Sequence, residues 1–289
     1  MIGDVVGDPG LEVLGRLLPD LIKEESADFV TVNGENAADG FGLTAPHLAK
    51  IFAAGADVVT GGNHIWEKRE FLPILDSEEK VIRPLNYPAG SPEQKTPGRG
   101  WVKIEKTSDQ GTYTWLTVNL QGRDFMTALD CPFRAFDHFE EGLWGNALGV
   151  AALLNSEGKL PEGLMEKPII LVDFHAESSR EKEALAYYLD GRADVVAGTH
   201  THVQTADERL LPKGTAYITD LGMTGVINGI IGMDPKICID RARNQVLYRM
   251  EVAASGGDGK AEGKTAIQGI IVDFDSESKK AVSIRRINK

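Results

Sequence analysis

Ala193-Asp194-Val195-Val196-Ala197-Gly198-Thr199-His200-Thr201-His202 runs from an apolar, strand-like segment into two histidines separated by one residue. Side chains of an extended segment alternate with a period of two. The two imidazoles are therefore expected to face one way, roughly 6–7 Å apart along the backbone. A pair so placed reaches two adjacent metal ions. A two-metal centre also needs a bridging carboxylate and further nitrogen or oxygen ligands from other loops. In open α/β sheets, ligand sites lie beyond the carboxyl ends of the strands, so those are the positions to inspect.

Four other segments fit. Met1-Ile2-Gly3-Asp4 reads as the end of a first strand; it is short for a buried parallel strand, so residues are expected to be missing at its front. Phe29-Val30-Thr31-Val32 runs into Asn33-Gly34-Glu35-Asn36, and Ala56-Asp57-Val58-Val59-Thr60 into Gly61-Gly62-Asn63-His64. Ile169 to Phe174 is a buried strand followed at once by His175. Helices are expected from Pro9 to about Glu25, with Asp8 as N-cap and Pro19 kinking or splitting it. Others are expected from a Thr44 cap to Ala54, from Glu67 to Leu75 and from Ser179 to Leu189. This alternation argues for a parallel sheet with helical crossovers.

The rest of the chain adds antiparallel elements. Trp101 to Lys106 and Thr112 to Asn119 alternate like paired strands after a Pro- and Gly-rich loop over 84–100. Pro132 to about Glu157 reads as helices broken near Gly142. Arg209 to Ile218 reads as a hairpin turning at Pro212-Lys213-Gly214. A helix from Pro235 to Arg243 and strands over Leu247–Ala253, Lys264–Phe274 and Ala281–Ile287 complete the chain, with a flexible turn over Ser255–Gly259. The expectation is one domain over residues 1–289, of α/β class, with two stacked sheets and outer helices.

Composition narrows the function. With 43 acidic against 31 basic residues the net charge is -12, which disfavours stable nucleic-acid binding. Cys131 and Cys238 are the only cysteines and give neither a disulfide framework nor a thiolate zinc site. No apolar run approaches the ~20 residues of a membrane span, and no signal peptide is read. A cytoplasmic location and no membrane partner are expected.

Each candidate has a plainer reading. A polar residue after a strand is ordinary turn chemistry, so Asp4, Asn36 or Asn63 alone could be a turn or cap residue, and Glu35 a solvated loop charge. His175 alone would read as a hydrogen-bonded core histidine. Five loops carrying metal-ligand residues at corresponding strand ends favour a metal site over five unrelated turns. His47 and His138 fall in helical segments and stay outside it. Asp173, two residues before His175, is a candidate for fixing that ring's tautomer, or a core-edge charge.

Taken together, Gly3-Asp4-Val5-Val6-Gly7, Gly34-Glu35-Asn36, Gly62-Asn63-His64, His175 and Gly198-Thr199-His200-Thr201-His202 resemble the metallophosphoesterase signature in its YmdB-like branch. Asn119 to Arg123, Asp173 to Glu177 and Thr219 to Gly225 extend the resemblance across the chain. Val6 stands where most of the wider superfamily has a histidine ligand, and Glu35-Asn36 where it has aspartate, both as in this branch. The segment from Pro132 to Pro168 is longer than in compact members.

The resemblance implies a four-layer α/β/β/α sandwich of the metallo-dependent phosphatase type. It implies two divalent metal ions, iron foremost and manganese or zinc otherwise. One ion would take Asp4, Glu35, Asn36 and His202, the other Glu35, Asn63, His175 and His200, with Glu35 bridging. The implied reaction is hydrolysis of 2′,3′-cyclic and also 3′,5′-cyclic nucleotides by in-line attack of a hydroxide between the metals, with His64 as proton donor. The competing readings are a metal-stabilised scaffold that binds RNA or protein with residual activity, and a phosphomonoesterase. Relatives form homo-oligomers, so a dimer or tetramer is expected, with Leu143–Leu154 as a contact candidate.

Overall fold

A computed structural model describes residues 1–91, 93–108, 111–144, 167–254 and 263–289. Along the strand β7 (Ile169–His175), Ile170, Val172 and Phe174 face one hydrophobic cluster and Ile169 and Leu171 face another. A strand that is apolar on both faces must be covered on both. That requirement generates the layers.

β7 lies inside a six-stranded sheet. β6 (Gly111–Gln121), β7, β8 (Val195–Thr199) and β10 (Ala216–Ile218) run parallel; β5 (Trp101–Ser108) and β9 (Arg209–Leu210) close the two edges antiparallel. Its outer face carries the helices α4 (Pro132–Trp144) and α5 (Ser179–Tyr188), through Phe136, Phe139, Leu185 and Ala186 packed on Leu116, Val118, Val172 and Phe174.

The second sheet begins with β2 (Thr31–Asn33), β3 (Val58–Thr60) and β4 (Val81–Ile82), all parallel. Ile2 bridges Val32 on one side and Gly269 on the other, joining them to the antiparallel pair β13 (Gln268–Phe274) and β14 (Ala281–Asn288). Immediately after Ile2, β1 (Asp4–Val5) pairs with β11 (Met223–Val226), which in turn pairs with β12 (Thr265–Ala266). The helices α1 (Gly7–Glu24), α2 (Ala45–Ala53) and α3 (Leu72–Ser77) cover this sheet, Leu14, Leu18, Ile51 and Leu75 meeting Val32, Val59 and Val81. Between the sheets lie Trp115, Leu171, Val195, Ala197, Ile218, Ile270 and Ala281, with the Phe29 and Trp115 rings stacked at 4.8 Å. The result is the expected α/β/β/α sandwich.

Four local expectations are corrected. Asp8 lies inside α1, whose N-cap is Val6, because Gly7 turns the chain at φ 63° and gives its N–H to the Asn36 carbonyl. Pro19 does not split α1, since Leu14, Leu18 and Leu21 are buried on either side of it and hold the helix in place. Leu247–Ala253 forms no strand: Leu247 is 86% exposed, and Val252 packs with Val6 and Met233 and makes one isolated bridge. Lys264–Phe274 is broken at Ile267, so that β12 serves β11 and β13 serves β14. Both the helix expected to reach Glu157 and the contact candidate Leu143–Leu154 run into 145–166, outside the described residues, as does the turn over 255–259.

Among the described residues, no helix is long and apolar enough to cross a membrane. Phe174 is fully buried under α5, whereas Tyr187 on the same helix is 52% exposed. Phe174→Ala should cost about 3–5 kcal/mol in equilibrium urea unfolding, and Tyr187→Ala well under about 1 kcal/mol. Equal costs would contradict the helix orientation.

Candidate metal centre

At the carboxyl ends of the strands the inward-facing positions change from apolar to polar. Thr31 and Asn33 on β2, Thr60 on β3, Asp173 and His175 on β7, and Thr199 on β8 all lie buried between the sheets. Asp173 holds three of them together. It accepts from the Thr199 hydroxyl at 2.7 Å, from the Asn33 amide at 3.2 Å and from the Thr60 hydroxyl. Burial pushes its carboxyl up to about 7, against the pull of these donors.

Beyond this layer the sequence-predicted residues converge. Within one group, His175 Nε2 lies 2.9 Å from Glu35 Oε1, 2.9 Å from Asn63 Oδ1 and 3.0 Å from His200 Nδ1. The ligand atoms of Glu35, His175 and His200 all fall within 4.8 Å of one another. In a second group, Asn36 Nδ2 is 3.3 Å from Asp4 Oδ1, 3.4 Å from Glu35 Oε1 and 3.2 Å from His202 Nε2, and His202 Nε2 is 3.7 Å from Asp4 Oδ1. Glu35 belongs to both groups. Asp4 and Glu35 are fully buried.

The proton on each ring is fixed from outside the cluster. Thr199 gives its hydroxyl hydrogen to Asp173, so it can only accept from His175 Nδ1 at 3.0 Å, which leaves His175 Nε2 bare. His200 Nε2 faces the Glu177 carboxylate at 3.2 Å, leaving Nδ1 bare. His202 Nδ1 donates to the Ile231 carbonyl at 2.9 Å, so a neutral ring leaves Nε2 bare. Three lone pairs are thus turned into the cluster, that of His175 toward Glu35 and Asn63, that of His200 toward His175, and that of His202 toward Asn36 and Asp4.

Electrostatics makes that arrangement costly as it stands. Burial raises both the Asp4 and the Glu35 carboxyls above the usual range. Burial also lowers His175 to about 3 and, with its neighbour His175, lowers His200 to about 2. With His175 neutral, its contact with Glu35 is not an imidazolium–carboxylate ion pair. Acceptors about 3 Å apart in a dry site call for a cation between them. Carboxylate, amide oxygen and imidazole are the donors that iron, manganese or zinc accept. Asn36 here presents its NH₂ to the carboxylates; turned over, it presents oxygen.

The extended geometry expected for the histidine pair is not what forms. β8 stops at Thr199, and His200 and His202 adopt φ 102° and 62°. The chain curls between them, so their rings enter different groups. Such backbones cost about 1–3 kcal/mol each and recur at functional sites. His64 sits at the rim with its side chain 27% exposed, Nδ1 3.5 Å from Glu67, its ring edge-on to Phe41, and its backbone N–H donating to Glu35 at 2.9 Å. His47 contacts Thr44 and Asp8, and His138 contacts Glu141, both apart from the cluster.

The sequence pattern described as YmdB-like protein matches residues 1–287. The chain belongs to this family. It is 42% identical over 286 residues to the 2′,3′-cyclic-nucleotide 2′-phosphodiesterase of Bacillus subtilis, covering 99% of this chain and 94% of that protein. A solved structure of a hypothetical protein from Thermus thermophilus superposes with a TM-score of 0.80 at 38% identity, covering 100% and 97% of the two chains. That of a phosphatase from Mycoplasma pneumoniae superposes with 0.82 at 28% identity, covering 100% and 91%. The layers are those of the metallo-dependent phosphatase type.

Sequence reasoning on this YmdB-like chain missed Asn33, Thr60 and Thr199, and gave Glu177 no role. The signal was available: each of the first three is the polar final residue of a strand on its inward side. Asp173 was weighed as a direct partner of His175, but it acts through Thr199. Gly62 is likewise dictated by the cluster, because a Cβ there would lie 2.5 Å from both Glu35 Oε2 and His175. Gly62→Ala should cost about 1–3 kcal/mol in urea unfolding; an unchanged midpoint would mean that the cluster is looser than described.

Proposed function

We propose that this protein is a metal-dependent phosphoric diester hydrolase that opens 2′,3′-cyclic nucleotides, with 3′,5′-cyclic nucleotides as further substrates. The observation that carries the reading is the gathering of three imidazoles around two buried carboxylates: His175 Nε2 lies 2.9 Å from Glu35, His200 within 4.8 Å of both, and His202 Nε2 3.7 Å from Asp4. The name of the Bacillus relative supports the substrate class.

In this reading Asp4, Glu35, Asn36 and His202 hold one divalent cation. Glu35, Asn63, His175 and His200 hold the other, with Glu35 shared. Iron is the first choice, and manganese or zinc also suits the donors. When bound, such a pair lowers the pKa of water and offsets charge on the phosphoryl oxygens. The donors come from both sheets, which supports treating residues 1–289 as one domain.

The chain's own contribution is orientation and one proton. Thr199, Glu177 and the Ile231 carbonyl keep each imidazole in its ligand tautomer. Hydrolysis joins a water oxygen to phosphorus and breaks one bond from phosphorus to a ribose oxygen, which must then gain a proton. His64 is the proton donor of this reading: its backbone is tied to Glu35, and its partly exposed ring can reach a substrate bound at the cluster.

His64→Ala should keep its metal and lose roughly 10²–10⁴ in turnover of an unactivated cyclic nucleotide; unchanged turnover removes that role. His175→Ala should lose metal by elemental analysis, and full occupancy strikes it from the ligand set. Assayed together, a 2′,3′-cyclic nucleotide should turn over faster than a linear diester or a monoester. Preference for the monoester would overturn the diesterase reading.

A further inference from the structure

Buried beside the histidine loop lies an ion pair that the reading above does not use. Lys182 on α5 and Asp220, in the loop after β10, are both about 1% exposed and meet at 2.7 Å. A buried pair of this kind is weak evidence of stabilisation, because desolvation offsets most of the attraction. Its placement says more than its energy.

Asp220 spends its remaining acceptor capacity on backbone and hydroxyl groups near the cluster. Oδ2 accepts from Thr201 N at 3.2 Å and from Thr201 Oγ1 at 2.8 Å, and Oδ1 accepts from Gly222 N at 2.8 Å. Thr201 is the residue between His200 and His202, both held at positive φ. The Gly222 carbonyl accepts from the backbone N–H of Asp4 at 3.2 Å. One carboxylate therefore ties the loop that carries two imidazoles to the strand that carries Asp4.

Gly198 supplies an independent observation. A Cβ there would lie 1.8 Å from the Thr219 carbonyl oxygen and 2.8 and 2.9 Å from Cδ and Cε of Lys182. The glycine that opens the Gly198-Thr199-His200-Thr201-His202 run leaves the lysine room to lie across β8 on the helix-covered face of the sheet. Its φ is not in the left-handed region, so space and not backbone conformation demands it.

We propose that Lys182 and Asp220 form a latch that, through Thr201, sets His200 and His202 in their ligand positions before any cation arrives. Both are positioning residues, and the inference rests on the two-cation reading. Because Thr201 lies between a ligand of each group, loosening the latch weakens both cation positions together.

The test uses Thr201, which is half-buried and whose replacement leaves the buried ion pair intact. Thr201→Val keeps the shape and removes the hydroxyl; Thr201→Ser restores it. Full-length protein stripped of metal is titrated calorimetrically with Mn²⁺. Wild type should take two ions, the Val variant should bind both about 10–100-fold more weakly, and the Ser variant should bind within about threefold of wild type. Wild type taking two ions while the Val variant matches it, or weakens at one position only, overturns the latch alone. A Ser variant as weak as Val overturns it too. Wild type that takes no Mn²⁺ overturns the two-cation reading and the latch with it.

Discussion

Asp4 and Glu35 are buried with no lysine or arginine in ion-pair distance among the described residues; their charged-type neighbours are histidines. An uncompensated buried carboxylate is costly by itself, and here the neighbouring rings turn lone pairs, not protons, toward it. The rest of the arrangement serves that imbalance. Asp173 with its hydroxyl and amide donors, the strained backbone at His200 and His202, and the close approach of Gly62 all hold acceptors together that would otherwise move apart.

The two-sheet architecture explains why one point can collect so many donors. Glu35 and Asn63 leave the sheet covered by α1 to α3, whereas His175, His200 and His202 leave the sheet covered by α4 and α5. On β7 and β8 the inward faces are apolar at the strand beginnings, where Ile169, Leu171 and Val195 pack, and become polar in the last residues. Hydrophobic burial thus holds the sheets together over most of their length, and the polar ends are positioned by it without contributing to it.

Much of this was legible in sequence because it depends on local rules. Apolar runs ended by Asn33, Thr60 or His175 mark strand ends, and a strand end implies a side in an open α/β sheet. What depended on non-local packing was not legible. Asp8 looked like a cap until Gly7 was seen tied to Asn36. Leu247–Ala253 was expected as a strand but, among the described residues, makes only one bridge. His-x-His suggested extended backbone, whereas the Asp220 contacts to Thr201 belong to a curled one. Thr199 and Asn33 could be read only as polar strand ends, because the partner that gives them their role, Asp173, comes from another strand.

The central claim is that loop ends from both sheets enclose a pair of cations around Glu35. Anomalous diffraction from crystals of the untreated protein, collected at the iron, manganese and zinc edges, tests it most directly. The account predicts two peaks, both against the Glu35 carboxylate, one beside His202 and the other beside His175 and His200. A single peak, or none in protein that hydrolyses cyclic nucleotides, would contradict it.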